Sequence, residues 1–302
     1  MPEQPSRAAV VAAFAAVYFI WGSTYLAIAI AIETLPALTM AGVRFILAGG
    51  AVMAWRRARG DAWPTRRQWA AGALVGGLLF VGGNGGVCWA EQHVASGLVA
   101  LLVASVPSWM VLFDWMRPGG RWPGQLVLAG VVVGFVGVGL LVAPRSGKDA
   151  VDLSAAGVVL AGSACWALGS LRSRRTHLLP PSPAMSVGLQ MATGGGLLLV
   201  AGAALGEPAR VDLAAVSTRS VLAVLYLCIL GSLVAFSAYS FLLRTVSPAS
   251  AATYAYVNPV VAVALGSLAG EALTGRMLLA GAIIVGGVAM ITLGRTRAPA
   301  AA

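Results

Sequence analysis

Ten runs of roughly twenty apolar residues follow one another along this 302-residue chain, with short connections between them. A helix rises about 1.5 Å per residue, so about 20 residues cross a hydrocarbon layer of about 30 Å. Marked between charged or Pro/Gly-rich breaks, the runs cover 9–30, 35–54, 69–88, 94–113 and 124–142, then 154–171, 184–205, 218–241, 248–269 and 275–293. The sixth is the shortest of these. The first is too long for the core of a signal peptide and is expected to stay as a helix. Composition agrees: 59% of residues are hydrophobic, 10% are charged, and the mean hydropathy is +0.87. A soluble domain carries about 25% charged residues to cover its surface. A soluble enzyme or a nucleic-acid-binding domain is therefore excluded, despite the net charge of +10.

Charge placement tests the count. Ten spans put both termini on one face, together with 14 basic residues, among them Arg56, Arg57, Arg59, Arg172, Arg174 and Arg175, and three acids, Glu3, Asp61 and Asp114. The opposite face carries five bases (Arg145, Lys148, Arg210, Arg219, Arg276) and seven acids, including Glu33, Glu91, Glu207 and Glu271. Basic residues concentrate in cytoplasmic loops, so both termini are expected in the cytoplasm. The positive charge is a topology signal with an attraction for anionic lipid headgroups, and it does not point to nucleic acid.

The remaining chemistry is sparse. Cys88, Cys165 and Cys228 lie within apolar runs and read as small buried hydrophobes, with no C-x-x-C pair to suggest a metal. His93 and His177 are expected on opposite faces of the membrane, which leaves no acid–base or metal constellation for catalysis. A G-x-x-x-x-G-K-[ST] loop for an ATP-driven pump does not occur in the sequence. No cofactor or metal is expected.

The two halves echo one another. Val94-Ala95-Ser96-Gly97 leads to Pro107, and Val246-Ser247-Pro248-Ala249 leads to Pro259, at an offset of 152. Gly22-Ser23 and Gly169-Ser170 match at 147, and Ala129-Gly130 and Ala280-Gly281 at 151. Five spans per copy is an odd number, so the second copy enters the membrane from the other side. The fold class expected is an all-α polytopic membrane protein of ten transmembrane helices, arranged as two inverted five-helix repeats over 8–142 and 153–294. Such a pair can open alternately to either side, as a carrier must. Glycines four apart (Gly72/Gly76, Gly82/Gly86, Gly130/Gly134, Gly266/Gly270) predict close helix packing, and those around Asn84 a possible bend in the third span.

Several segments resemble the drug/metabolite transporter superfamily, specifically its ten-span EamA-type members. They are FIWGSTYLAI from Phe19, AGVRFILAG around Arg44 and Phe45, the tract from Ala90 to Pro107, CWALGS from Cys165, and VSPASAATYAYVNPVVAVALG running on to GEALT. The resemblance covers about 8–294. It implies a secondary transporter of the bacterial inner membrane, working mostly outward. Amino acids, related amphipathic metabolites or drugs would be its substrates, with protons or a counter-substrate as coupling partner. Uptake by the same mechanism is the alternative, and a non-transporting scaffold or sensor ranks below it. The partners expected are membrane lipid and a small-molecule substrate, and the state a monomer or homodimer. Glu271, in the family's acid-containing stretch after the ninth span, reads equally as an end cap and as a transport residue.

Candidate functional residues are the polar and aromatic groups at depth. Arg44 lies near the middle of the second span, where a charge is costly and no carboxylate is available at midspan. It is either an anchor bonded to backbone carbonyls or helix ends, or a contact for substrate or a counter-anion. Trp21, Ser23, Thr24 and Tyr25 cluster in the first span, Asn84 interrupts the third, and Trp109 and Trp166 lie in the fourth and sixth. Tyr239 falls late in the eighth. Tyr254 and Asn258, four residues apart on one helix face, stand in the ninth. Pro107 and Pro259 are candidate helix breaks or gates. Trp55, Trp63, Trp69, Trp115 and Trp122 read as interfacial belt residues. A mostly apolar, aromatic path of this kind suits a small amphipathic molecule better than a bare ion.

Overall fold

A computed structural model of the chain describes residues 6–120, 122–143, 151–246 and 253–297. Every regular element among them is helical. Among the described residues, ten helices of 15 residues or more follow in order: α1 (Arg7–Ala31), α2 (Ala37–Ala58), α3 (Arg66–Ala90), α4 (Ser96–Met116), α5 (Gln125–Val142), α6 (Leu153–Arg175), α7 (Pro183–Ala204), α8 (Thr218–Leu242), α9 (Tyr254–Leu268) and α10 (Gly275–Arg297). Among the described residues, nine are long and apolar enough to cross a membrane, and α9 is a shorter apolar helix of 15 residues. The expected start of the ninth span at 248–252 lies outside the described residues, as do Arg121 and the connection 144–150 with Arg145, Lys148 and Asp149.

Two expectations about length need correction. The sixth span is not short: α6 runs for 23 residues, because Arg172, Arg174 and Arg175 continue its last turn. Arginine is a good helix former and its cation suits a helix C-terminus, so the helix outlasts the apolar run. Arg44 is not central in its helix either, standing seven residues after Ala37 in a helix that extends to Ala58.

Four spans are irregular. Wider, π-helical turns occupy Ala16–Trp21 in α1, Gly77–Gly85 in α3 and Leu227–Val234 in α8. α4 is interrupted at Ala104–Ser105, between a half-helix Ser96–Val103 and a second half beginning at Val106. Pro107 falls in the first turn of that second half, where its missing N–H costs nothing. Pro259, by contrast, sits inside an uninterrupted α9.

The chain forms two compact units, and neither follows one half of the sequence. Of the described residues, those within 1–26, 95–156 and 234–302 form one, and those within 27–94 and 157–233 form the other. In the first, α5 and α10 meet through glycines: a Cβ on Gly287 would lie 2.6 Å from the Gly134 amide nitrogen. Val111, Val127, Val131 and Ile291 fill the space beside that contact. In the second unit, α2 and α7 approach as closely, and a Cβ on Gly49 would lie 2.6 Å from the Gly188 carbonyl oxygen. Met53, Met185 and Leu189 pack there, while Gly82 and Gly162 bring α3 against α6. Lipid provides no hydrophobic force between helices, so close van der Waals approach over small residues takes its place. Phe19, Val136 and Leu222 are exposed on the outside of these helices, as lipid-facing side chains are.

Candidate functional site

In the first unit the last π turn of α1 delivers Trp21 into an aromatic group. Its ring meets Phe236 edge-on at 5.1 Å, Tyr254 edge-on at 5.3 Å and Tyr239 at 4.9 Å, and the two tyrosines meet edge-on at 5.5 Å. Gly22 makes this possible, since a Cβ there would strike Val261 of α9. The sequence candidates Trp21, Tyr239 and Tyr254 are thus brought together, from three helices. Asn258 is buried one turn below Tyr254, and its side-chain amide faces the backbone carbonyl oxygens of Tyr18 and Tyr254 at 3.2 Å. The nitrogen is therefore assigned to that end and donates to both, tying α9 to α1. Tyr18 Oη and Thr253 Oγ1 share a further hydrogen bond of 2.5 Å. Ser23 and Thr24 donate to carbonyls of their own helix, Ile20 at 2.8 Å and Trp21 at 2.6 Å, and Tyr25 is half-buried on α1.

Trp109 belongs to a different cluster, stacked on Phe113 at 5.9 Å and edge-on to Phe135 at 5.3 Å. It lies one turn after the break in α4. Two polar atoms at this break, Ser105 Oγ and Trp109 Nε1, are buried without a hydrogen-bond partner.

In the second unit Arg44 is 2% exposed. Its Nε donates to Ser232 Oγ at 2.9 Å, and its guanidinium carbon lies 4.6 Å from the centre of the Phe45 ring. The bond to a side-chain hydroxyl replaces the backbone or helix-end anchor considered from the sequence. Ser232 belongs to the π segment of α8, and its hydroxyl donates to the Leu227 carbonyl five residues back, at 3.1 Å. The Cys228 thiol donates to the Arg44 carbonyl at 3.3 Å. Asn84 lies within the π segment of α3, beside Gly83, on which Trp166 packs: a Cβ at Gly83 would lie 2.8 Å from that ring. The three cysteines are free thiols, Cys88 fully buried and the others half-buried.

Glu271 does cap a helix, and it has a counterpart that sequence reasoning missed. Its carboxylate accepts the Ser96 N–H at 3.0 Å, the Ser96 hydroxyl at 2.5 Å and the Gly97 N–H at 3.1 Å, covering the N-terminus of α4. Glu207 does the same for α2, accepting the Leu38 N–H at 3.0 Å, the Thr39 N–H at 2.7 Å and the Thr39 hydroxyl at 2.8 Å. Both glutamates end a G-x-x-x-G-E segment, GAALGE at 202–207 and GSLAGE at 266–271. In each, the second glycine turns the chain out of the helix with a left-handed φ of +72° (Gly206) or +94° (Gly270). The first glycine leaves room for the returning carboxylate. That repeated hexapeptide was the available signal. Arg276 adds a cationic cap, donating to the Leu140 and Ala143 carbonyls at the end of α5.

Comparison with known proteins agrees with this architecture. The model of the EamA-like transporter family matches residues 8–143 and 153–293. The chain is 41% identical over 287 residues to YedA of Escherichia coli K12, described as an uncharacterized inner membrane transporter, covering 94% of this chain and 91% of that one. It is 27% identical over 306 residues to the transporter YvbV of Bacillus subtilis 168, covering 98% and 93%. A crystal structure shares the fold with a TM-score of 0.63 at 24% identity, over 98% of this chain and all of the other. A multi-pass membrane chain matched along nearly its whole length by one transporter family, and by relatives named as transporters, belongs to the EamA-like transporter family.

Proposed function

We propose that this protein is a secondary active transporter that exports small amphipathic metabolites, amino acids or related compounds, or drugs, by alternating access. Its two halves act as inverted five-helix repeats, with both termini in the cytoplasm. The observation that carries this reading is where the irregular backbone falls. Within a membrane, departures from regular helix are tolerated where they line a cavity or are buried in protein, and carriers build substrate sites at such places. Here the irregular turns bear Trp21, Asn84 and Ser232, and Trp109 follows the break in α4. The Trp21–Tyr239–Tyr254 group supplies apolar faces with phenolic edges, suited to an organic molecule with an apolar body.

Purified protein in liposomes tests the proposal. Counterflow of a library compound, combined with cysteines that react from one side and become protected when substrate is added, is the expected result. A broad library of amino acids, nucleosides and cationic drugs giving neither counterflow nor thermal stabilisation would overturn it.

A further inference from the structure

Among the described residues, Glu207 and Arg44 are buried charged side chains, the carboxylate oxygens of Glu91 are buried as well, and Glu207 and Arg44 are treated differently. Glu207 lies against two backbone N–H groups and a hydroxyl at the start of α2. Arg44, a little further along the same helix, has one hydrogen bond, to a neutral hydroxyl, and one aromatic face. Its Nη1 is buried and bonded to nothing. Among the described residues Arg44 forms no ion pair; the thiols of Cys88 and Cys228 are its titratable neighbours, and the carboxylates of Glu91 and Glu207 act on Cys88 from beyond it.

This is an incomplete site. Arginine does not lose its proton in proteins and presents five N–H donors in a planar fork. A guanidinium held away from water without a counter-charge is strongly unfavourable, so selection keeps one where something supplies the charge. Its orientation is also built. Ser232 directs its own proton to Leu227, which leaves a lone pair for Nε, and the π turn of α8 sets that hydroxyl in place. The fork is thereby fixed on its Nε side, with Nη1 left over. Behind it, Phe45 packs on Phe80 with ring centres 4.5 Å apart, an apolar wall whose two rings are fully buried in this structure. A planar carboxylate matches the guanidinium, and a small apolar or aromatic body matches the wall.

We propose that Arg44 binds the anionic group of the transported molecule, so that the substrates are carboxylates with a small apolar body, and cations are excluded. This rests on the transport reading above and narrows it.

The test uses the intact protein in detergent micelles and three probes of one shape: benzoate, uncharged benzamide and cationic benzamidine. Benzoate is expected to raise the melting temperature in a dose-dependent way, and the other two are not. R44Q should abolish the response, and S232A should weaken the apparent affinity about tenfold, the order expected for one charge-assisted hydrogen bond. Equal stabilisation by all three probes, preference for benzamidine, or no response to benzoate would each overturn the proposal on the wild-type protein alone, whether or not R44Q folds. Equal protection by sodium chloride and sodium benzoate would assign the site to an inorganic anion and overturn its substrate role. Counterflow of a neutral or cationic library compound, with no Arg44-dependent benzoate response, would leave transport standing and remove the anion from it.

Discussion

Replacing Glu271 by glutamine probes the cap on α4 with a change of one atom. The glutamine oxygen can keep the Ser96 N–H and hydroxyl, now as neutral bonds, while the new NH2 group faces the Gly97 N–H, donor against donor. An amide left without an acceptor costs about 1–3 kcal/mol. Loss of the negative charge at a helix N-terminus adds about 0.3–1 kcal/mol. The variant should therefore lose about 1–4 kcal/mol, a large part of a typical folding free energy of about 5–15 kcal/mol. Titration of the purified protein in mixed micelles with sodium dodecyl sulfate, followed by far-ultraviolet circular dichroism, reads this as an earlier midpoint. Glu33→Gln is the matched control, because its ion pair with Arg219 spans 3.5 Å between exposed groups. Such pairs are worth about 0–1 kcal/mol. Equal midpoints for the two variants would refute the assignment of Glu271 as a stabilising cap.

Adjacent glycines on α10 give a second comparison. Gly287→Ala drives a methyl into the α5 backbone and should cost about 1–3 kcal/mol, whereas Gly286→Ala faces open space and should be near neutral in the same titration. The Arg56 guanidinium, and after it the Ser182 hydroxyl, hold the Asp61 carboxyl below the usual carboxylate range. A carboxylate with a depressed folded-state pKa stabilises above its unfolded value of about 3.9, and that contribution is lost as pH falls through the folded value. Asp61→Asn should thus be less stable than the wild type at neutral pH, and the difference should shrink as pH falls below the ordinary carboxylate range, as midpoints across pH will report. Asn258→Ala removes both bonds, to Tyr18 and Tyr254, and should lose about 1–3 kcal/mol of stability and a larger share of counterflow activity. Full transport by that variant would remove Asn258 from the path.

The spans were legible because lipid imposes a length on every apolar run, and the break in α4 was foreshadowed by Pro107. The length of α6 was not, since an arginine-rich end reads as a loop by hydropathy yet is good helix by propensity. Arg44 was visible as a charge among apolar residues, but Ser232 was not: one serine in an apolar run carries no signal, and its aim depends on a π turn with no sequence signature. The aromatic group was half legible. Spacing put Tyr254 and Asn258 on one face, while the meeting of Trp21 with Tyr239 and Tyr254 depends on contacts between helices more than 200 residues apart in the chain. Glu207 was hidden because its partner lies 168 and 169 residues away, although its hexapeptide repeats that of Glu271.

Those long separations bear on how the protein is made. α2 enters the membrane early in synthesis, but the carboxylate that covers its first amides is 168 residues downstream, and the one that covers α4 is 175 downstream of Ser96. At about 5–20 residues per second, each helix start waits roughly ten to thirty seconds for its cap. In that interval, headgroups or water must serve the bare amides. A ribosome-bound chain stopped before residue 207 therefore holds inserted helices without either clamp, and each compact unit gains its clamp from the later half of the polypeptide.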